Sequence, residues 1–333
     1  MGLGRHRTMT RQLAPPRDPL GALLAVHDYA AMPAVLADRD TPPAMAALIE
    51  AGRCLVELDL YGISETIDLT ALPPDIASDI TAISWPRDPV YPHRGPLEDL
   101  VPLLRHMLEV MEVLVTRADT TGTLSAIHLA AEYLPWLAWQ RSTGCAGDPL
   151  ASAAVIAGAS SAWHSSLCPL DRQDRSALAA VLTCQDSTTS WDAYVRDSHS
   201  RVAAALVTCG GVPKPASADS SPRACRAQCG IAAGRSLGWP MTLIRRLRDS
   251  ALLELRHDSP VGHFFAVPSE SEVELAWHRT VEGLLTHHRE TPAENNPFAH
   301  ATDGLRSLFA VIAGHDEPLV ASDLLDRIAE RIA

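Results

Sequence analysis

The sequence is almost without lysine, because Lys214 is the single lysine among 28 basic residues. A phosphate-binding P-loop needs a lysine after its second glycine, and a Schiff-base enzyme needs a buried one. Lys214 lies between two prolines in a polar stretch, which suits neither purpose. The sequence therefore argues against both classes.

Several sequence motifs are missing as well. We find no Gly-x-Gly-x-x-Gly, no Gly-x-Ser-x-Gly and no Asp-rich helical motif. Dinucleotide, serine-hydrolase and prenyl-diphosphate chemistry are therefore disfavoured. The cysteine count of 7 is low and odd, which favours reduced thiols over a disulfide framework. Cys225 and Cys229 lack the second pair that a structural zinc site requires.

Charge and hydropathy limit the partners of the chain. The net charge of −12 argues against nucleic-acid binding, which needs basic surface to displace counterions. No apolar run approaches the roughly 18 residues of a membrane span. Residues 1–17 carry arginines but no apolar signal-peptide core, so we expect a disordered tail on a cytoplasmic protein.

Apolar spacing of three and four residues predicts a mainly α fold, a helical bundle. Prolines break this pattern at about 71–96, where we expect an extended, stiff connection. A loop rich in Gly, Pro and Ser follows at 210–222. We expect one mainly helical domain over 18–333, with the alternative of two lobes joined at 210–222. After the proline-rich connection, helices are predicted at about 97–117, 124–140, 148–167, 172–185, 188–208, 223–235, 240–256, 270–290 and 301–332.

His199 is the histidine whose helical position is most informative. It shares one predicted helical stripe with apolar residues from Trp191 to Leu206, and small residues flank it. A flat macrocycle could approach such a surface while the imidazole ligated its iron. The alternative is an ordinary core histidine that makes one hydrogen bond.

His93 lies in a different setting, the proline-rich segment WPRDPVYPHRGP. A rigid loop that holds a polar group suits an acid–base residue above a pocket. The alternative is a solvated loop histidine.

Other histidines offer weaker ligand spacings. His164 and Cys168 lie four residues apart and could meet one face of a metal or haem. His128 with Glu132, and His278 with Glu282, have the same spacing and suit a non-haem metal site in a bundle. The alternative for His164 and Cys168 is a spacing that arises by chance, and the alternative for most of the His–Glu positions is an exposed helical charge pair.

Arginine is left as the cation for binding carboxylates. Arg235 and Arg245 belong to a basic stretch at 223–256 that could hold haem propionates or an amino-acid carboxylate. Arg141, which follows two tryptophans at a predicted helix end, is a candidate for binding a substrate carboxylate. For most arginines of the stretch at 223–256, the alternative is a solvated helix face.

The chain resembles the histidine-ligated haem-dependent L-tyrosine hydroxylases, a branch of the haem-dependent aromatic oxygenases. The resemblance rests on the helical pattern, on WPRDPVYPHRGPLEDLVPLLR (85–105) and on DAYVRDSHSRVAAAL (192–206). It implies a cytoplasmic oxidoreductase of antibiotic biosynthesis that binds haem b and converts L-tyrosine to L-DOPA. The oxidant would be hydrogen peroxide or O2, and a homodimer is compatible with this reading.

The resemblance also implies residue roles. His199 would be the axial ligand of the haem iron, with His164 as the alternative, and His93 would accept the phenol proton and assist O–O cleavage. Because a neutral imidazole ligand donates less electron density than a thiolate, a distal acid–base group matters for this chemistry. Two other functions remain open from the residues alone: a non-haem metal-dependent oxygenase, and a helical binding protein without catalysis.

Overall fold

The computed structural model of the chain describes residues 18–85, 94–143, 146, 238–258, 262, 266–285 and 301–333. These ranges are mainly helical, and none of their residues lies in a strand. The predicted mainly α fold is therefore confirmed. A search of the same ranges for a helix that is long and apolar enough to cross a membrane finds none.

The described helices of the first part of the chain lengthen toward α6 and α7. They are α1 (Pro19–Leu24), α2 (Met32–Leu36), α3 (Pro43–Val56), α4 (Leu60–Thr66), α5 (Pro74–Ile83), α6 (Val101–Thr116) and α7 (Thr120–Thr143). The later helices are α8 (Gly238–Arg248), α9 (Ala251–His257), α10 (Glu270–Leu285), α11 (Ala301–Ala313) and α12 (Leu324–Ile332). The helices predicted at 148–167, 172–185, 188–208 and 223–235 lie outside the described residues.

Helix α7 is the centre of the described fold. It packs against α6 on one side and against α8, α9 and α11 on others. Its apolar residues are distributed around the whole helix, as expected for a helix that neighbours surround. Since α8, α9 and α11 follow residues 210–222 in sequence, described helices before and after those residues share one hydrophobic core.

Helix α12 is the last described helix and packs on the opposite group of helices, α3 and α5. Its apolar residues Leu324, Leu325, Ile328 and Ile332 have helical spacing and are all buried. Arg327, on its outer side, reaches three carboxylates and so ties α12 to α5. These carboxylates belong to Asp75, Asp79 and Asp323.

Four helix ends share one corner geometry, which Leu58 illustrates. The Leu58 amide donates to the Leu55 carbonyl at 3.2 Å, and the Asp59 amide donates to the Cys54 carbonyl at 2.8 Å. This is the Schellman motif, whose turning residue adopts a left-handed backbone and is usually glycine. The four turning residues are His27 (φ 53°), Leu58 (φ 55°), Ala118 (φ 56°) and Gly314 (φ 86°).

Three helix beginnings also share one pattern, Asp-x-x-Gly. In each, the aspartate carboxylate accepts a hydrogen bond from the glycine amide, which satisfies one free N–H of the first turn. The glycine leaves room for that carboxylate, because a Cβ would lie within 2.4 Å of it. The pairs are Asp18–Gly21 at 3.0 Å, Asp59–Gly62 at 2.8 Å and Asp119–Gly122 at 2.8 Å.

The extended connection predicted at 71–96 is wrong for part of its length, because α5 occupies Pro74–Ile83. Pro73 and Pro74 begin this helix instead of preventing it. A proline in the first helical turn loses no hydrogen bond, since the amide there has no partner within the helix.

The single helices predicted at 240–256 and at 301–332 are each divided in two. Ser250 ends the continuity of the first, because its side chain accepts from the Leu253 amide and starts α9. The second ends at Gly314, whose left-handed backbone turns the chain after α11. Pro318 follows in the turn that leads to α12.

The turning residues predict opposite effects of two substitutions. Ala118 is exposed, so Ala118→Gly removes backbone strain without loss of packing and should raise the free energy of unfolding by about 0.5–1 kcal/mol. Gly314→Ala should lower the free energy of unfolding by about 2 kcal/mol. The left-handed backbone is strained for alanine, and the new Cβ would lie 2.7 Å from Arg141 Nε. Urea denaturation measures both, and equal signs would contradict this account.

Candidate functional site

Four residues predicted from the sequence to carry the site lie outside the described ranges. They are His93, His164, His199 and Arg235. Their predicted roles in haem binding and catalysis stay predictions. The structure does, however, place the residues on both sides of segment 86–93.

Arg141 lies near the end of α7 and points to the end of α11. Its Nη1 donates to the Val311 carbonyl at 3.1 Å, in the last turn of α11. Its Nε lies beside Gly314. In the structure Arg141 therefore stabilises a helix C-terminus, where a positive charge is favourable, and its predicted role in substrate binding stays a prediction.

Arg245 is exposed near the end of α8. Its Nε lies 3.7 Å from the Asp249 carboxylate, which is longer than a hydrogen bond. A guanidinium in this position can turn toward an external carboxylate. Its neighbour Arg246 instead donates to the Gly283 carbonyl of α10.

The residues of the non-haem alternative are not gathered into one site. His128 Nε2 lies 3.4 Å from Glu132 on α7, and its ring makes an edge contact with His257 at a centroid distance of 6.4 Å. His278 is exposed and faces Glu274, not Glu282, at 3.9 Å. Within the part of the chain that the structure describes, no three His, Cys, Asp or Glu residues form a group that could hold a metal ion.

A cavity of about 170 Å³ opens between the α3–α4 corner, α6 and α7. Leu103, Met107 and Leu129 supply apolar surface, and the corner supplies the residues from Leu58 to Tyr61. The remaining lining residues are Trp85 and Tyr133. Three aromatic side chains therefore surround a space that is otherwise mostly aliphatic.

Trp85 and Tyr133 form the side of this cavity that adjoins segment 86–93. Their ring centroids are 5.7 Å apart with an angle of 34° between the planes, a favourable aromatic contact. Burial raises the pKa of Tyr133 to about 12, so its phenol stays protonated at neutral pH. Trp85 is also the last described residue before the segment that carries His93.

The other end of that segment is held on the same helix. Gln140 Oε1 accepts from the Leu100 amide at 2.8 Å, and Gln140 Nε2 donates to Asp99 at 2.6 Å. Pro96 and Leu97 are buried in the preceding turn. Both flanks of segment 86–93 are thus attached to α7, near Tyr133 and Gln140, two helical turns apart.

Two polar side chains, His106 and Glu109, are buried on α6 close to the lining residue Met107. Glu109 Oε1 accepts from the Leu325 amide at 2.7 Å, and Oε2 accepts from the Ser322 hydroxyl. His106 Nδ1 lies 3.4 Å from Glu109 Oε2, and His106 Nε2 lies 3.1 Å from the Leu55 carbonyl. His106 is fully buried and Glu109 nearly so.

Each ring nitrogen of His106 has a polar partner. A carbonyl oxygen can only accept, so Nε2 donates to the Leu55 carbonyl. Nδ1 faces Glu109 Oε2, which also accepts from the Ser322 hydroxyl, while Glu109 Oε1 accepts from the Leu325 amide. Both buried side chains therefore have the hydrogen-bond partners that burial requires.

The surroundings of Glu109 favour its charged form. Burial alone would raise its pKa, but hydrogen bonds from His106, Ser322 and the Leu325 amide, with the charge of His106, lower the pKa below its usual value. The same carboxylate provides the N-terminal cap of α12, because the Asp323 side chain makes no capping bond there.

Tyr29 extends the polar contacts of α12. Its hydroxyl donates to the Leu325 carbonyl at 2.9 Å and lies 3.2 Å from His27 Nδ1, while His27 Nε2 lies 3.3 Å from Asp326. A hydroxyl, a histidine and a carboxylate in series resemble a catalytic triad. Tyr29 is only 1% exposed, however, and burial raises its pKa. We assign the series to the attachment of α12.

Sequence reasoning did not identify His106, Glu109 or the aromatic cavity. The signal for the first two was a His-x-x-Glu pair inside a mainly apolar helix, RHMLEV. Polar residues three apart on such a helix face the same neighbours. Nothing near them in sequence indicates Ser322 or Leu325.

No known protein family, curated protein or solved structure matches this chain.

The buried pair predicts a large effect of a nearly isosteric change. Glu109→Gln replaces one of two acceptor oxygens with an NH2 group that cannot accept from Ser322 or the Leu325 amide. It should lower the free energy of unfolding by about 3 kcal/mol in urea denaturation. Glu112→Gln, on the same helix, removes a half-exposed ion pair with Arg306 and should cost less than about 1 kcal/mol. Equal losses in the two variants would contradict this role of the buried carboxylate.

The lowered pKa of Glu109 also predicts how stability depends on pH. Below about 4.5, the usual value, the unfolded chain binds a proton at Glu109 before the folded chain does. The stabilisation is therefore complete above that pH and is lost as pH falls through the folded pKa. Thermal unfolding between pH 7 and pH 3 should show a smaller acid-induced decrease for Glu109→Gln than for the wild type. Identical pH dependence would contradict the assignment.

Proposed function

We propose that this chain is a haem-dependent monooxygenase that hydroxylates the aromatic ring of L-tyrosine to give L-DOPA in antibiotic biosynthesis. The observation that supports it is the aromatic-walled cavity at the start of the segment that carries His93. Trp85 belongs to both, since it lines the cavity and precedes that segment directly.

The volume of the cavity suits one aromatic ring. A dry apolar cavity of about 150 Å³ is large enough to bind benzene. The present cavity, at about 170 Å³, has aliphatic surface from Leu103, Met107 and Leu129 and ring surface from Trp85 and Tyr133. A phenol ring placed there would replace water with apolar and aromatic contacts.

Among the described lining residues, Asp59 is the one that carries a charge. Its carboxylate caps α4 through the Gly62 amide. A carboxylate retains further acceptor positions when it accepts one hydrogen bond. Asp59 would therefore take the ammonium group of an amino acid whose ring lies in the cavity.

Haem, when bound, would supply the iron that activates the oxidant. His199 would ligate that iron, while Arg235 and Arg245 would hold the propionates. The described member of this set, Arg245, fits the task because it is exposed and only loosely paired with Asp249. His93, one peptide bond from the described Arg94, would accept the phenol proton of the substrate.

The absorption spectrum of the purified protein tests the cofactor. After expression with a haem precursor we expect a Soret band, which His199→Ala should abolish. His128→Ala is the matched control and should keep the band, since His128 contacts Glu132 and His257 on α7 and α9. A folded but colourless wild type would contradict the proposal. Iron without porphyrin in elemental analysis would favour the non-haem alternative.

The role of Asp59 predicts a selective loss of substrate binding. Asp59→Asn keeps a good helix cap but loses the charge, so the dissociation constant of L-tyrosine should rise roughly tenfold, about 1.4 kcal/mol. Binding of 3-(4-hydroxyphenyl)propionate, which lacks the ammonium group, should not weaken. Isothermal titration calorimetry on both ligands measures this. A uniform loss, or no loss, would exclude Asp59 as the ammonium partner.

A further inference from the structure

The Leu55 carbonyl is shared between two parts of the structure. It accepts the Leu58 amide at 3.2 Å within the α3–α4 corner, and it accepts His106 Nε2 at 3.1 Å from α6. Leu58 is the residue of that corner with a left-handed backbone, a conformation that is strained for a residue other than glycine. The bond from His106 therefore supports a strained corner.

That corner is one wall of the aromatic cavity. Its residues from Leu58 to Tyr61 all line the space, as does Met107, the neighbour of His106 on α6. A change in the position of the Leu55 carbonyl would therefore move the wall and Asp59 with it.

The other nitrogen of His106 leads to α12. It meets Glu109, whose two oxygens accept from Ser322 and from the Leu325 amide. His106 Nε2 lies 3.1 Å from the Leu55 carbonyl and Nδ1 lies 3.4 Å from Glu109 Oε2, so one imidazole ring contacts both groups at once. The beginning of α12 and the cavity wall are thus joined by an unbroken series of hydrogen bonds.

We propose that α12 positions the wall of the aromatic cavity through Glu109, His106 and the Leu55 carbonyl. His106 and Glu109 are positioning residues, since neither lines the cavity. The inference deepens the proposed function, on which the use of the cavity rests, but the coupling itself does not involve haem.

Hydrogen–deuterium exchange of the full-length protein tests the coupling. In Ser322→Ala, which removes one bond to Glu109, the amides of Leu58 and Asp59 should exchange at least fivefold faster than in the wild type. Ser322→Thr keeps the hydroxyl and should restore slow exchange. Glu109→Gln should accelerate exchange at Leu58 and Asp59 more than Ser322→Ala does. If Glu109→Gln does not fold, the result with Ser322→Ala alone decides the test.

Two controls separate the coupling from general loosening. Arg327→Gln weakens the attachment of α12 to α5 without touching Glu109, so it should accelerate exchange in α12 but not at Leu58 and Asp59. The α6–α7 corner at Ala118 and Asp119 has the same geometry and lies outside the series, so its exchange should stay constant in Ser322→Ala.

The outcomes decide the proposal without reference to the cofactor. Unchanged exchange at Leu58 and Asp59 in Ser322→Ala would overturn it, as would equal acceleration at both corners or in Arg327→Gln. A missing Soret band would contradict the haem assignment and leave the exchange result standing. A normal Soret band with unchanged exchange would overturn the coupling alone.

Discussion

The buried carboxylate of Glu109 is the group on which the described structure most depends. An apolar helix surface cannot hold a bare charge, so Glu109 needs donors, and they come from α6 itself and from the beginning of α12. Satisfying that one side chain therefore fixes where the last described helix packs. The apolar face of α12 adds burial, but burial does not specify direction.

The attachment of α12 also determines where neighbouring side chains lie. Tyr29 reaches the Leu325 carbonyl by lying flat against α3, where Gly52 leaves the space, because a Cβ there would meet the ring at 2.6 Å. Arg117 turns its guanidinium to the carbonyls of Val26 and His27 at the adjacent corner. Polar contacts at buried carbonyls thus hold several chain segments in one arrangement.

Helical periodicity was enough to predict much of the fold. The helices expected at 97–117 and 124–140 were found at Val101–Thr116 and Thr120–Thr143, because dense apolar spacing leaves little alternative. The predictions were wrong where a single residue determines where a helix begins or ends. Pro73 and Pro74 were interpreted as helix breakers although they begin α5, and Gly314 ends a helix that periodicity alone would continue.

Much less of the candidate site than of the fold could be predicted from the sequence. Trp85, Tyr133 and the corner at Leu58 come together only through packing of four helices, and no local spacing encodes that. Glu109 and Leu325 are likewise far apart in sequence. His93 and His199, by contrast, were selected from local pattern and resemblance, and they remain predictions about residues outside the described ranges.

The bond between Glu109 and Leu325 has a consequence for the order of folding. It joins residues 216 positions apart, and closing a loop of that length costs about 5 kcal/mol of chain entropy. Contacts of such long range form late, after local helices and corners exist. Glu109 lacks two of its three donors until α12 docks. The polar centre of α6 is therefore completed by the part of the chain that lies farthest from it in sequence.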